Sequence, residues 1–129
     1  MKPLTDFSLL AYLHDAACRC IHWDCLDKDG RVLVLDLDVH PDTKFPDWDG
    51  RRMTLAFRNV ALCRFNGWGH VAGGETIDRF DEKVSAEALS QCERLKASGL
   101  RVPRLNFSVS FISGSELELV CDRVEYQLT

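Results

Sequence analysis

The sequence predicts an α+β fold, in which an antiparallel sheet of five to six strands, able to close into a barrel-like form, carries one main helix and a short N-terminal helix. Apolar and polar residues alternate with period two over several short segments, which is typical of strands with one buried face. Only segment 85–98 has the capping residue and the apolar spacing of a longer helix. Because strands and helices do not alternate along the chain, we expect neither a parallel sheet nor a dinucleotide-binding fold.

Length and charge narrow the class of protein. The 129 residues suit a single domain, 1–129, and a hydrophobic fraction of 46% is ordinary for globular proteins. No apolar run approaches the roughly 20 residues of a membrane span, and the start of the chain lacks the pattern of a signal peptide. Sixteen basic and twenty acidic residues give a net charge of −4, which argues against nucleic-acid binding. We therefore expect a cytoplasmic protein that binds neither membranes nor nucleic acids.

The N-terminal third predicts a short helix followed by a hairpin. Residues 5–13 have a capping residue at Thr5 or Asp6 and apolar residues at helical spacing. From Ala17 the period changes to two, and the turn sequence DKDG at 27–30 separates two alternating segments. These segments predict the first two strands of the sheet.

The register of this hairpin follows from matching the faces of its two strands. A three-residue loop, 28–30, with Gly30 in the left-handed region, places apolar side chains opposite apolar side chains. Loops of two or four residues would set polar side chains of one strand against leucines of the other. The pairs predicted by the three-residue loop are Cys25–Leu33, Trp23–Leu35, Ile21–Leu37, His22–Asp36 and Cys20–Asp38.

The rest of the chain predicts the remaining strands and the main helix. Residues 51–59 form a third strand, and residues 60–65 continue or restart it as a fourth. Helix 85–98 begins at the N-cap Ser85. Residues 107–121 then alternate on either side of a Ser-Gly-Ser turn, which predicts a closing hairpin.

The chain has six cysteines, and we interpret them mainly as reduced thiols. A chain of this length builds a core unaided, and the sequence lacks the second closely spaced cysteine pair that structural zinc sites use. Cys18 and Cys20 are expected to face the same side of one strand. Metal binding and disulfides remain alternatives for these thiols.

A candidate site lies on the polar face of the first hairpin. An imidazole together with carboxylates can hold a metal ion or act as an acid–base pair. Cross-strand His–Asp pairs are also common as plain surface contacts, so both interpretations stay open. The candidate metal ligands on this face are His22, Asp36, Asp38 and His40.

Two irregular loops carry the other candidate site. Residues 40–50 are rich in Asp and Pro, and residues 66–76 contain four glycines. The glycine spacing fits neither the dinucleotide-binding nor the phosphate-loop pattern, so we expect no cofactor. Tryptophan supplies large contact area at binding surfaces, although such loops can also be ordinary connections. The residues predicted for a binding surface are Asp42, Trp48, Trp68 and His70.

Four segments resemble a group of small bacterial domains, some of which are described as immunity proteins of polymorphic toxin systems. These segments are LHDA at 13–16, IHWD at 21–24, LVLDL at 33–37 and LAFRNV at 55–60. The resemblance covers roughly half the chain and implies an antiparallel sheet preceded by a His-Asp element. It implies no catalytic residues.

Taken together, these patterns predict a non-catalytic module, immunity-like or accessory, that binds a protein partner through its acidic and aromatic loops. The alternative is a small metal-dependent enzyme or a ligand-binding barrel that uses the face of His22, Asp36 and Asp38. A homo-oligomer that pairs the sheet face bearing Val32 and Val34 is a further interpretation.

Overall fold

The structure, a computed structural model, describes residues 1–24, 31–41, 47–48, 50–67 and 75–129 of the chain. These residues form nine strands, one α-helix and one 3-10 helix. The helices are the 3-10 helix Phe7–Leu13 and α1 (Ala86–Ala97). The strands are β1 (Lys2–Pro3), β2 (Ala17–Trp23), β3 (Leu33–Asp38), β4 (Arg52–Arg58), β5 (Leu62–Asn66), β6 (Glu75–Asp81), β7 (Leu105–Phe111), β8 (Glu116–Cys121) and β9 (Arg123–Leu128).

All nine strands belong to one antiparallel sheet with the order β1-β9-β4-β3-β2-β6-β7-β8-β5. Two halves are distinguishable, because strands β2 and β6 are joined by only two residue pairs, Ala17–Thr76 and Cys18–Glu75. The first half contains the five strands from β1 to β2 in this order, and the second contains the four strands from β6 to β5.

The core lies between the two halves of the sheet. Leucines of β3 and β4 form one buried cluster with Phe107 and other apolar residues of the second half. The ring of Phe57 on β4 stands 5.7 Å from that of Phe107 on β7, so the sheet folds over on itself. Each fully buried Leu or Phe contributes about 1.5–3 kcal/mol relative to an exposed one, and this cluster therefore sets which face of every strand points inward.

The predicted fold class is wrong about the number of strands and about the barrel. The described part of the chain has nine strands rather than five or six, and the terminal strands β1 and β5 do not pair with each other. The strands that the alternation does not predict are β1, β6 and β9. In β6 the register shifts between Ile77 and Arg79, which places the buried Ile77 and Phe80 three residues apart and disrupts period two. β9 follows β8 with only Asp122 between them, so no turn signal separates the two strands.

The two helices begin at capping residues. Ser85 accepts a hydrogen bond from the Ala88 N–H at 3.2 Å, and α1 follows it. The N-terminal segment is a 3-10 helix, and Asp6 caps it by accepting from the Ser8 N–H at 3.2 Å. Both caps satisfy backbone donors that a helix cannot pair internally.

The first hairpin has a different register from the predicted one. Trp23 lies opposite Leu33 and Ile21 opposite Leu35, a slip of two residues from the expected pairs. Face matching cannot distinguish these registers, because a slip of two residues leaves every side chain on its own face. The predicted loop, 28–30, and Cys25 lie outside the described residues.

Candidate metal centre

A β-bulge in β2 determines which side chains reach the outer face of the first half of the sheet. Cys18 pairs with Leu37 but Cys20 pairs with Asp36, so Arg19 is an extra residue on β2. Cys18 is fully buried in the core, whereas Cys20 is solvent-accessible. The prediction that the two cysteines face the same side is therefore wrong.

After the bulge the register is regular, and Cys20 and His22 lie with Asp36 on the outer face. His22 Nε2 lies 3.2 Å from Asp36 Oδ2. The two residues are diagonal neighbours, since His22 pairs with Val34. One ligand atom each from Cys20, His22 and Asp36 lies within 4.8 Å of the other two. We call these three residues the CHD cluster.

Asp36 is oriented by a hydrogen bond from the neighbouring strand. Thr54 of β4 lies directly opposite Asp36, and its Oγ1 donates to Asp36 Oδ1 at 3.4 Å. The other carboxylate oxygen, Oδ2, is the one that faces His22. Partners of this kind fix the direction of a metal-ligating carboxylate in many proteins.

The CHD cluster is open to solvent. The side chain of His22 is 46% exposed and that of Asp36 is 28% exposed. Cys18 offers an instructive contrast, since burial raises the pKa of its thiol from 9.0 to about 12. The thiolate is the form that binds metals, and burial disfavours it at Cys18. The accessible cysteine, Cys20, is the one that lies on the outer face with His22 and Asp36.

The two other predicted metal ligands do not join the cluster. Asp38 forms ion pairs with Arg19 Nε at 3.4 Å and Arg52 Nε at 3.6 Å. The carbonyl oxygen of His40 accepts from the Gly50 N–H at 3.4 Å, and its side chain lies outside the CHD cluster. Arg19 reaches Asp38 because it is the bulged residue.

The structure separates the residues of the predicted binding surface. Trp48 is 2% exposed and packs in the core, with its ring 5.5 Å from that of Tyr126. Its side chain therefore stabilises the fold rather than offering surface to a partner. Asp42, Trp68 and His70 lie outside the described residues.

A second polar cluster joins α1 to the second half of the sheet. Glu118 of β8 is 8% exposed and accepts hydrogen bonds from the N–H of Ser85 and, at 2.9 Å, from its hydroxyl group. Arg64 of β5 lies 3.5 Å from the same carboxylate and forms a 2.7 Å ion pair with Glu87 of α1. Because donors of the chain itself surround Glu118, this cluster anchors the start of α1.

All cysteines in the described part of the chain are free thiols. They are Cys18, Cys20, Cys63, Cys92 and Cys121. Burial raises the pKa of Cys63, Cys92 and Cys121 as well, the last to about 12. The buried thiols of Cys18, Cys92 and Cys121 behave as small apolar side chains, whereas Cys63 is half-buried.

The fold and the site therefore define the class of the protein as a folded-over antiparallel sheet with a polar cluster of three potential metal ligands on its outer face. Comparison with known protein families finds no family model that matches the chain. Neither the curated proteins nor the solved structures contain a match. Within the described residues, no helix has both the length and the apolar character needed to cross a membrane.

Proposed function

We propose that this protein binds one divalent transition-metal ion, with Zn²⁺ as the first candidate, through Cys20 Sγ, His22 Nε2 and Asp36 Oδ2. The observation that carries this proposal is the convergence of three different ligand atoms within 4.8 Å on the open face of a sheet. Two adjacent strands hold these residues, so their backbone positions are fixed before a metal ion arrives.

The spacing of the ligand atoms fits a tetrahedral metal ion. Metal bonds of about 2.0–2.1 Å to nitrogen or oxygen and about 2.3 Å to sulfur place nitrogen and oxygen about 3.3 Å apart, and sulfur and nitrogen about 3.6 Å apart. The His22–Asp36 distance of 3.2 Å already matches the first separation. Cys20 Sγ lies within 4.8 Å of the other two ligand atoms, so metal binding requires the sulfur to move closer by about 1 Å. A metal ion bound here would replace the direct contact between His22 Nε2 and Asp36 Oδ2.

The chemistry of the ligands selects the kind of metal ion. Thiolate and imidazole favour Zn²⁺ and the later transition metals, whereas Mg²⁺ and Ca²⁺ prefer sites made of oxygen alone. The two anionic ligands, Cys20 and Asp36, neutralise a divalent cation when both are ionised. With three protein ligands from the described residues, a tetrahedral ion keeps its fourth position for water or another exchangeable ligand.

The competing explanation is a plain surface contact between His22 and Asp36. An exposed pair of this type contributes a few tenths of a kcal/mol and needs no cysteine beside it. The two explanations differ in the role of Cys20, which takes part only in metal binding.

Metal content measured after Zn²⁺ loading and dialysis tests the proposal. We expect one equivalent of zinc in the wild-type protein and a loss of most of it in Cys20→Ser. The matched control is Cys63→Ser, which removes a half-buried thiol of β5 outside the CHD cluster. Equal zinc content in Cys20→Ser and the wild type would contradict the proposal.

The hypothesis of an immunity-like, protein-binding module stays a prediction. It depends on Asp42, Trp68 and His70, which lie outside the described residues, and on Trp48, whose side chain is buried. An interaction between this protein and a toxin-like partner would test it directly.

A further inference from the structure

We propose that the exchangeable position of this metal ion takes a phosphate-type oxyanion, held between the metal ion and the arginines that flank Asp38. The inference rests on the proposed function, because the arginines alone do not define the site.

Two features of the sheet place the arginines beside the CHD cluster. The bulge directs Arg19, the residue before Cys20, toward the outer face, where it meets Asp38. Arg52 lies directly opposite Asp38 on β4. Asp38 follows Asp36 by two residues on the same strand face, which separates them by about 6.6 Å along β3. Both guanidinium groups therefore contact Asp38, the next residue after Asp36 on the same face of β3, and lie beside the proposed metal site.

The local charge favours an anion. A divalent ion bound by one thiolate and one carboxylate has no net charge. The adjacent group of Arg19, Arg52 and Asp38 has a net charge of +1. A metal ion with an open position next to this positive group attracts an anionic ligand, although the whole chain has a net charge of −4.

The arginines can turn from Asp38 to a ligand at small cost. Their side chains are 39% and 66% exposed, and exposed ion pairs of this type contribute about 0–1 kcal/mol. Each pair is made through Nε, while a guanidinium group has five N–H donors arranged to match an oxyanion.

The size of a phosphate group suits a ligand that bridges the metal ion and an arginine. The Cα atoms of Asp36 and Asp38 lie about 6.6 Å apart along β3. A metal–oxygen bond of about 2 Å, the width of the phosphate and a charge-assisted hydrogen bond of about 2.8 Å add to a length of the same order. A phosphate group can therefore bind the metal ion with one oxygen and an arginine with another. Chloride can bind at the open coordination position of the metal ion, but a single atom cannot also offer a second oxygen to an arginine.

The Co²⁺-loaded full chain provides the test, because the visible spectrum of Co²⁺ reports both the thiolate ligand and exchange at the open position. Inorganic phosphate is titrated against it at constant ionic strength, with chloride as the comparison anion. We expect a saturable spectral change with phosphate, and affinity for phosphate at least about tenfold weaker in Arg52→Gln and in Arg19→Gln. Affinity for Co²⁺ should change less than about twofold in both variants, since neither arginine is a metal ligand.

Arg79→Gln is the matched control. Arg79 forms an ion pair with Asp81 on β6 and is 66% exposed, as Arg52 is. This variant should bind phosphate as tightly as the wild-type protein.

Each alternative result has a separate meaning. Absence of a sulfur-to-cobalt band in the wild-type protein contradicts the proposed function itself. A normal band that phosphate does not change overturns only the oxyanion inference. The inference also fails if chloride produces the same change as phosphate, or if Arg52→Gln and Arg79→Gln bind phosphate equally well.

Discussion

Two carboxylates, Asp36 in the first half of the sheet and Glu118 in the second, have opposite surroundings. Glu118 is nearly buried and accepts from Ser85 and Arg64, which are hydrogen-bond donors. Asp36 is partly exposed and lies beside the imidazole of His22 and the thiol of Cys20, whose nitrogen and sulfur can each offer a lone pair to a metal ion. A carboxylate surrounded by donors anchors the fold, whereas one that shares its space with other ligand atoms is suited to hold a cation.

The largest expected effect concerns the bulge that supplies the thiol on the Asp36 side. With a pKa of about 12, Cys18 has about a thousandfold less thiolate than an ordinary thiol of pKa 9.0 at neutral or mildly alkaline pH. We expect iodoacetamide to modify Cys20 rapidly and Cys18 only as the pH approaches 12 or the protein unfolds. Trypsin cleaves after Arg19 and so separates Cys18 from Cys20, and fragmentation of peptide 20–28 distinguishes Cys20 from Cys25 in the same peptide. Equal rates for both cysteines at pH 8 would show that they share a face.

The next prediction compares the two carboxylates by metal affinity. Asp36→Asn removes a proposed ligand and should weaken Zn²⁺ binding beyond the about 10–100-fold typical of changes outside the ligand shell. Glu118→Gln should leave the affinity unchanged, because Glu118 lies in the other half of the sheet. Competition with a chromophoric chelator measures both constants. The comparison breaks down if Glu118→Gln weakens binding as much as Asp36→Asn.

The stability of the metal-free protein should depend more on Glu118 than on Asp36, which is the reverse of the order expected for zinc affinity. Glu118→Ala leaves the Ser85 N–H without its acceptor and removes one of the two carboxylates that pair with Arg64, and we expect a loss of about 2–3 kcal/mol in the free energy of unfolding. Asp36→Ala removes only partly exposed contacts and should change that energy by less than about 1 kcal/mol. Urea titrations followed by circular dichroism measure both values. A larger loss in Asp36→Ala would make Asp36 the structural anchor instead.

The smallest effect is expected at Thr54. Thr54→Val removes the hydrogen bond to Asp36 Oδ1 without changing the size of the side chain, and should lower Zn²⁺ affinity about tenfold. Thr54→Ser keeps the hydroxyl group and should bind zinc nearly as well as the wild-type protein. If both variants bind zinc equally well, Thr54 does not orient the carboxylate.

The proximity of His22 and Asp36 could be predicted from the sequence even though the predicted register is wrong. The polar face predicts that His22 and Asp36 lie together, and they do so although the strands are shifted by two residues. Alternation determines the face of a side chain, and a diagonal neighbour is still within reach of a histidine. Alternation cannot locate a bulge, so it placed Cys18 on the polar face beside Cys20, whereas the structure buries Cys18 in the core. The only signal for Cys20 in the sequence is its spacing of two residues from His22.

Three features, the burial of Trp48, the presence of β9 and the pairing of Asp38, depend on tertiary packing, and the periodicity and spacing of the sequence could not predict them. Trp48 lies in an irregular segment with no periodicity, and its burial in the main core cluster beside Tyr126 of β9 identifies it as a core residue. β9 itself lacks the turn signal that would separate it from β8. Asp38 carries the same charge as Asp36, but Arg19 and Arg52 neutralise it, and their positions depend on the bulge and on the pairing of β3 with β4.

X-ray absorption at the zinc edge tests the central claim most directly, because it counts sulfur neighbours of the bound ion. The zinc-loaded protein should show one sulfur at about 2.3 Å and nitrogen or oxygen neighbours at about 2.0–2.1 Å, and this sulfur should be absent from whatever zinc Cys20→Ser retains. A first shell made only of nitrogen and oxygen in the wild-type protein, or an unchanged sulfur neighbour in Cys20→Ser, would contradict a metal centre built on Cys20, His22 and Asp36.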